Sequence, residues 1–240
     1  MMRIHVLKTL IKKDFKSCLG NKNVLITLLL PIFFGIAYSF LLSDITELPG
    51  EFVLLLCSVM VLSIIPLSVL STMIAEEKEK HTLRALMMAN VSGIEFILSK
   101  ALVCLVVLIG EGIVLFGVCG TSMNGFWGYL LILTLAALAI ICFGAVVGIS
   151  AKDQMAAGTL ASPLMMLLLL PPIFGQFNDV VEKISKLFPT TSLYTVYPSA
   201  AAGESLLTGD NLFALAICVV WAAAGIIIFQ AIYKKKGLDD

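Results

Sequence analysis

Long apolar runs separated by short charged segments dominate the chain, and their lengths predict helices that cross a bilayer. Six runs, approximately 24–42, 52–74, 101–120, 129–149, 155–174 and 211–232, are long enough, or nearly so, to span a hydrocarbon layer of about 30 Å at about 1.5 Å per residue. The third carries an acid, Glu111, and the fifth is interrupted by Pro163 and closed by Pro171 and Pro172. The expected fold is an all-α integral membrane protein: a single transmembrane domain over 1–240 built as a bundle of six transmembrane helices.

The polar segments have patterns of their own. In 1–23, Ile4, Leu7, Ile11, Phe15 and Cys18 recur at helical spacing, with Lys8, Lys12, Lys13 and Lys16 mostly off that stripe. This predicts an amphipathic helix lying in the inner interface with its lysines toward anionic headgroups. A plain basic leader that only sets orientation is the alternative. No cleavable signal peptide is expected, because the first apolar run follows a long polar segment and reads as a retained span.

The connection 75–100 reads AEEKEKHTLRALMMANVSGIEFILSK. Leu83, Leu86 and Met87 share a helical face behind the charged run 76–80. Ser92 and Glu95 form an S-x-x-E capping box that starts a new helix leading into the third span. A short helix, a break near Asn90 and Val91, and a second helix start follow from this. Such a short helix suits a soluble partner, and an ordinary charged loop is the alternative. The connection 175–210 mixes apolar residues with Pro189, Tyr194, Tyr197 and Pro198. It predicts interfacial helix broken by prolines with tyrosines at headgroup level, or a segment dipping into the membrane under a cover of protein.

Charge sets the orientation. Of the 16 lysines and arginines, only Lys183 and Lys186 fall in the connections after odd-numbered runs; the others precede the first run, follow the sixth, or lie after the second and fourth. The positive-inside rule then places both termini in the cytoplasm. The opposite connections hold Asp44, Glu47, Glu51, Asp179, Glu182, Glu204 and Asp210.

Composition agrees: 60% of residues are hydrophobic and 13% charged, with a mean hydropathy of +1.04. A net charge of zero gives no basic field for nucleic acid. The six cysteines form no CxxC and sit in or beside apolar runs, as packing residues do. No Gly-Lys-[Ser/Thr] core of a phosphate-binding loop occurs, so the chain is not expected to hydrolyse ATP alone. No HExxH occurs either. Glu76 and Glu77 resemble the paired glutamates of CAAX-type membrane proteases. Those enzymes also need histidines in later spans, whereas His5 and His81 both precede the third span. Catalysis is not expected.

Glu111, in the middle of the third run, is a default candidate for function, since an intramembrane carboxylate is costly unless neutral, paired or facing water. It suits an ion site in an ion-coupled secondary transporter or channel. A protonated acid hydrogen-bonded to a neighbouring helix is the structural alternative. Gly144-x-x-x-Gly148 and the small residues at 222–225 offer close helix packing, within one bundle or between two.

The connection 75–100 resembles that of type-2 ABC exporter permeases, which carry E-[K/R]-E-x-G-T-L, then V-S-x-x-E and a lysine. Glu77-Lys78-Glu79-Lys80-His81-Thr82-Leu83 matches with His81 in place of the glycine, and Val91-Ser92-Gly93-Ile94-Glu95 and Lys100 follow. The amphipathic leader, six spans and long fifth external connection extend the resemblance over nearly the whole chain. It implies a permease subunit, not an enzyme in itself, in the plasma (inner) membrane of a bacterium. A separate ATPase subunit would bind ATP and magnesium and dock on a coupling helix in 75–100. The second membrane half would be another copy or a similar permease, and cargo would move outward. The residues implied in coupling are Glu77, Glu79, Thr82, Leu83, Arg84, Leu86 and Met87, with the three apolar ones as anchors and the charges at the rim. The chain itself is expected to hold no cofactor or metal.

Overall fold

A computed structural model of the protein describes residues 3–41, 51–119, 123, 125–206 and 209–236. Asp44 and Glu47, named above, and the run ends at 42 and 120 lie outside them. The described residues form helices and no strand: α1 (Ile4–Gly20), α2 (Lys22–Leu41), α3 (Phe52–Ile64), α4 (Leu70–Glu79), α5 (Thr82–Met88), α6 (Gly93–Val118), α7 (Phe126–Ser150), α8 (Gln154–Phe174), α9 (Asp179–Ser185), α10 (Ser192–Ala201) and α11 (Gly209–Lys236). A π-helical turn, Ile65–Val69, joins α3 to α4 without a break, and a 3-10 turn, Pro189–Thr191, precedes α10. Six rods are long and apolar enough to cross a membrane: Lys22–Leu41, Phe52–Glu79, Gly93–Val118, Phe126–Ser150, Gln154–Phe174 and Gly209–Lys235. The protein is an all-α membrane bundle.

The rods are not equivalent. The α3–α4 rod and α7 bury 72% and 56% of their apolar windows, against 22% for α2 and α8 and 17% for α11. The first two therefore form the centre. The others present large bare residues such as Phe33, Leu167 and Val219, as lipid-facing or partner-facing helices do. Close contact at the centre depends on missing side chains. Pro66 has no N–H to donate, and the wider π turn accommodates it. The Pro66 carbonyl then stands against α7 at Gly144, where any Cβ would collide with it. Gly148 lies against Ile74 and Ser71 in the same seam, and Gly225 of α11 faces Cys142 and Phe143. These small residues thus pack helices within the bundle.

Several elements run further than the apolar pattern. Helix α4 carries the second rod on to Glu79, and α6 starts at Gly93 and continues into the third span without interruption. Helix α8 passes unbroken through Pro163 and through Pro171 and Pro172. Around Pro163, the hydroxyls of Thr159 and Ser162 donate to the carbonyls of Met155 (3.0 Å) and Gly158 (2.7 Å).

At the end of the bundle opposite most of the lysines, the segment after α8 dips back between the rods. Thr190 Oγ1 donates to the Leu168 carbonyl of α8 at 2.8 Å, and Trp221 Nε1 of α11 donates to Leu187 at 2.8 Å. The Pro189–Thr191 turn therefore sits below the end of α8 and beside the middle of α11. Helix α10 then climbs along α7, bringing Ala200 to Gly128 and Ala201 to Gly125. Tyr197 is fully buried in the bundle, edge-on to Tyr129 with ring centroids 5.9 Å apart.

Candidate coupling site

The basic end of the bundle is assembled around the connection between α4 and α6. Helix α4 stops at Glu79, and His81 reverses the chain in the left-handed region at φ 55° and ψ 20°. That conformation is natural for the glycine of the resembling motif and is among those histidine adopts more readily than bulky residues. Helix α5 ends on a second left-handed residue, Asn90 at φ 58°. The Asn90 amide donates to Met87 (2.9 Å) and that of Val91 to Leu86 (3.1 Å), closing orphan carbonyls. Ser92 and Glu95 form the expected capping box, with Glu95 N donating to Ser92 Oγ at 3.2 Å and Ser92 N to Glu95 Oε2 at 3.0 Å.

Helix α1 clasps this connection along its whole length. At its start, the Arg3 amide donates to Glu95 Oε1 at 2.7 Å, and the Arg3 guanidinium reaches both Glu95 and the Asn90 carbonyl. At its middle lies a buried ion cluster. Lys100, 1% exposed, donates to Asp14 Oδ1 at 2.9 Å and to Glu77 Oε1 at 3.3 Å, with Phe96 under its ammonium at 4.9 Å. Asp14, also 1% exposed, accepts from Ser99 Oγ at 2.5 Å through its other oxygen. Glu77 further accepts from Lys13 and from the Thr82 hydroxyl. At the end of α1, Asn21 Nδ2 donates to Glu76 Oε2 and to Gln154 Oε1, both at 3.0 Å.

The remaining charges of 76–80 are also used internally. Lys78 Nζ donates to the carbonyls of Ile149 (2.6 Å) and Ala151 (3.1 Å), capping the end of α7. Glu79 accepts from the Gln154 amide and side chain at 3.1 Å each. Lys80 donates to Glu76, and that carboxylate holds its ammonium above the usual lysine range. Burial pushes the Cys18 thiol up to about 11, so it packs as a neutral group.

The structure therefore divides the residues implied in coupling. Leu83 is 2% exposed and turned into the bundle, and Leu86 and Met87 are half-buried against the same core. The Thr82 hydroxyl, bonded to Glu77, ties the start of this short helix to α4. Glu77 is an internal ligand of Lys100 rather than a rim charge. The outer face of α5 consists of Arg84, Ala85 and Met88, the last 80% exposed. The inward arc of α1 is Leu10, Asp14 and Cys18, while Ile4 and Phe15 of the predicted stripe are exposed. Glu111 lies away from this cluster, 5% exposed, with neither carboxyl oxygen hydrogen-bonded among the described residues.

Sequence reasoning missed Asp14 and Asn21. The available signal was that Asp14 is the lone acid ahead of the first span, surrounded by lysines that gave it no reason to be there.

A bundle of six membrane-crossing helices with a polar, helix-bearing connection fastened at one end is the build of a polytopic transport subunit. Residues 50–232 match the family model of the ABC-2 family transporter proteins, and the chain belongs to that family. It is a membrane permease of an ABC transporter. No curated protein matches the chain. Helix α1 lies outside the matched residues, although its partners Glu77, Glu95 and Lys100 lie within them.

Replacing Lys100 by Met should leave Asp14 buried without its cation, and breaking a buried pair from one side costs about 3–5 kcal/mol. Thermal unfolding of the purified protein in nanodiscs should show a clearly lowered Tm for Lys100→Met. Adding Asp14→Asn should restore much of it. Equal stability of Lys100→Met and the parent would mean the cluster does not hold α1 in place.

Proposed function

We propose that this permease docks a separate ATPase through α5 and moves its cargo out of the cell. The ATPase binds ATP and magnesium, while this chain supplies one membrane half. The other half is a second copy or a similar permease. The lysine distribution supports an orientation with the basic end and both termini in the cytoplasm, where ATP is available.

One observation carries this reading: α5 is fastened on its inner face and exposes Ala85 and Met88 on its outer face. Leu83, Thr82 and the Glu77 cluster hold it to the rods. A helix held in this way transmits displacement to α4 and α6 instead of rolling. Interface energy generally concentrates in a few anchors, and Met88 is the large apolar side chain available. Replacing Ala85 and Met88 together by Asp should place unpaired charge in the ATPase groove and lower recovery of the co-expressed ATPase by at least about tenfold. The bundle should unfold at the parental temperature, since both side chains stand outside it. Leu83→Asp should instead lower the Tm. Full recovery of the ATPase with the double variant would rule out docking through this face, and absence of any ATPase from the wild-type preparation would rule out the coupling itself.

Glu111 favours a second reading, because a buried carboxyl without a partner fits an ion-binding step. Glu111→Gln keeps a donor and an acceptor of the same shape. If the residue carries an ion, this variant should lose ion-gradient-dependent flux in reconstituted vesicles at unchanged expression. Unchanged flux would make Glu111 a neutral structural acid.

A further inference from the structure

Helix α1 spends one side on the ion cluster, and its other side carries charges that the cluster does not use. Lys8, Lys12 and Lys16 recur every fourth residue, so they form one row along the helix, and all three are exposed. Like charges at this spacing repel and weaken a helix unless an opposite charge lies over them. None of the three pairs with a carboxylate among the described residues. Asp14, the only acid in α1, is turned inward onto Lys100 and Ser99.

Beside the row runs a strip of bare apolar side chains: Ile4 is 65% exposed, Phe15 40% and Leu19 44%. Their spacing in a helix places them on one flank, next to the lysines. The position of both features along the chain decides what they meet. Only Asn21 separates α1 from α2, a rod that crosses the membrane. The row therefore ends about 9 Å before the start of a span, measured along a helix from Lys16 to Lys22. A basic row flanked by apolar side chains at that distance from a span lies where headgroups meet acyl chains.

We propose that the outer face of α1 binds anionic phospholipid headgroups and that this contact seats the helix that clasps the connection 75–100. The headgroup phosphates supply the opposite charge that the lysine row lacks, and the apolar strip enters the acyl boundary beside them. The lysine stems lie along that strip while their ammonium groups stay among the headgroups. Helix α1 is then held from both sides, by Lys100 within and by lipid without.

The test uses the full-length protein without any ATPase, in nanodiscs of phosphatidylcholine alone or of phosphatidylcholine mixed with phosphatidylglycerol. Both leaflets then carry the anionic lipid, so the outcome does not depend on which way the bundle points. Phosphatidylglycerol should raise the wild-type Tm by about 4 °C, and high salt should erase the rise. The combined variant Lys8→Gln, Lys12→Gln and Lys16→Gln keeps long polar side chains and should show no rise. Its Tm in phosphatidylcholine alone should be no lower than that of wild type, because the repulsion is gone. Lys234→Gln with Lys235→Gln removes charge from the end of α11 and should keep the rise. The proposal is overturned if wild type shows no rise, if the triple variant rises as wild type does, or if the α11 variant loses the rise equally. A wild type without the rise, together with a triple variant that no longer retains co-expressed ATPase, would give this face to the ATPase instead.

Discussion

The ammonium of Lys100 held between Asp14 and Glu77 is the interaction on which the basic end of this protein depends. Taking such charges out of water costs several kcal/mol each, and the pairing of Lys100 with both carboxylates offsets that cost. The three residues come from α1, α4 and α6, which are distant in sequence. The cluster therefore forms only when all three helices are in register. It fixes that register more sharply than apolar packing, where Leu or Met tolerates a shifted neighbour.

Much of the local structure follows from this constraint. Glu77 also receives the Thr82 hydroxyl, so the same carboxylate that anchors α4 sets the roll of α5. Arg3 ties the other end of the connection, and Asn21 joins α1 to both Glu76 and Gln154. Helix α1 is thus the clasp that joins the α4–α6 connection to the start of α8. The motif residues Glu77 and Thr82 act inward, which leaves Met88 as the large apolar group of α5 open to a partner. A displacement applied there reaches α1 and the rods through ionic and hydrogen bonds that have little freedom to stretch.

Local patterns made much of this legible in the sequence. The six rods follow from apolar runs, the start of α6 from Ser92 and Glu95, and the break before it from Asn90 and Val91. What was not legible depends on distant partners. Asp14 and Lys100 stand 86 positions apart, and nothing near Asp14 announces a buried cation. Helix α5 has only seven residues, too few for periodicity to tell its inner from its outer face, so the inward turn of Leu83 and the exposure of Met88 were not readable from spacing. The turn at Pro189–Thr191 is held by the Leu168 carbonyl and lies below Leu187 bound to Trp221, contacts between segments that composition cannot pair. Pro163 reads as a break, yet α8 continues through it with hydroxyls bonded along the same turn.

Helices α1 and α5 act as one rigid unit held by the Lys100 cluster and the Glu77–Thr82 bond. Pulsed electron-spin distance measurement tests this most directly, with labels at Lys12 and Ala89, and at Ala89 and Met155, in the complex with the ATPase. Between the nucleotide-free and ATP-bound complexes, the Lys12–Ala89 distance should stay unchanged and the Ala89–Met155 distance should shift. A change between Lys12 and Ala89 would contradict the rigid unit, because the clasp and the coupling helix would then move independently.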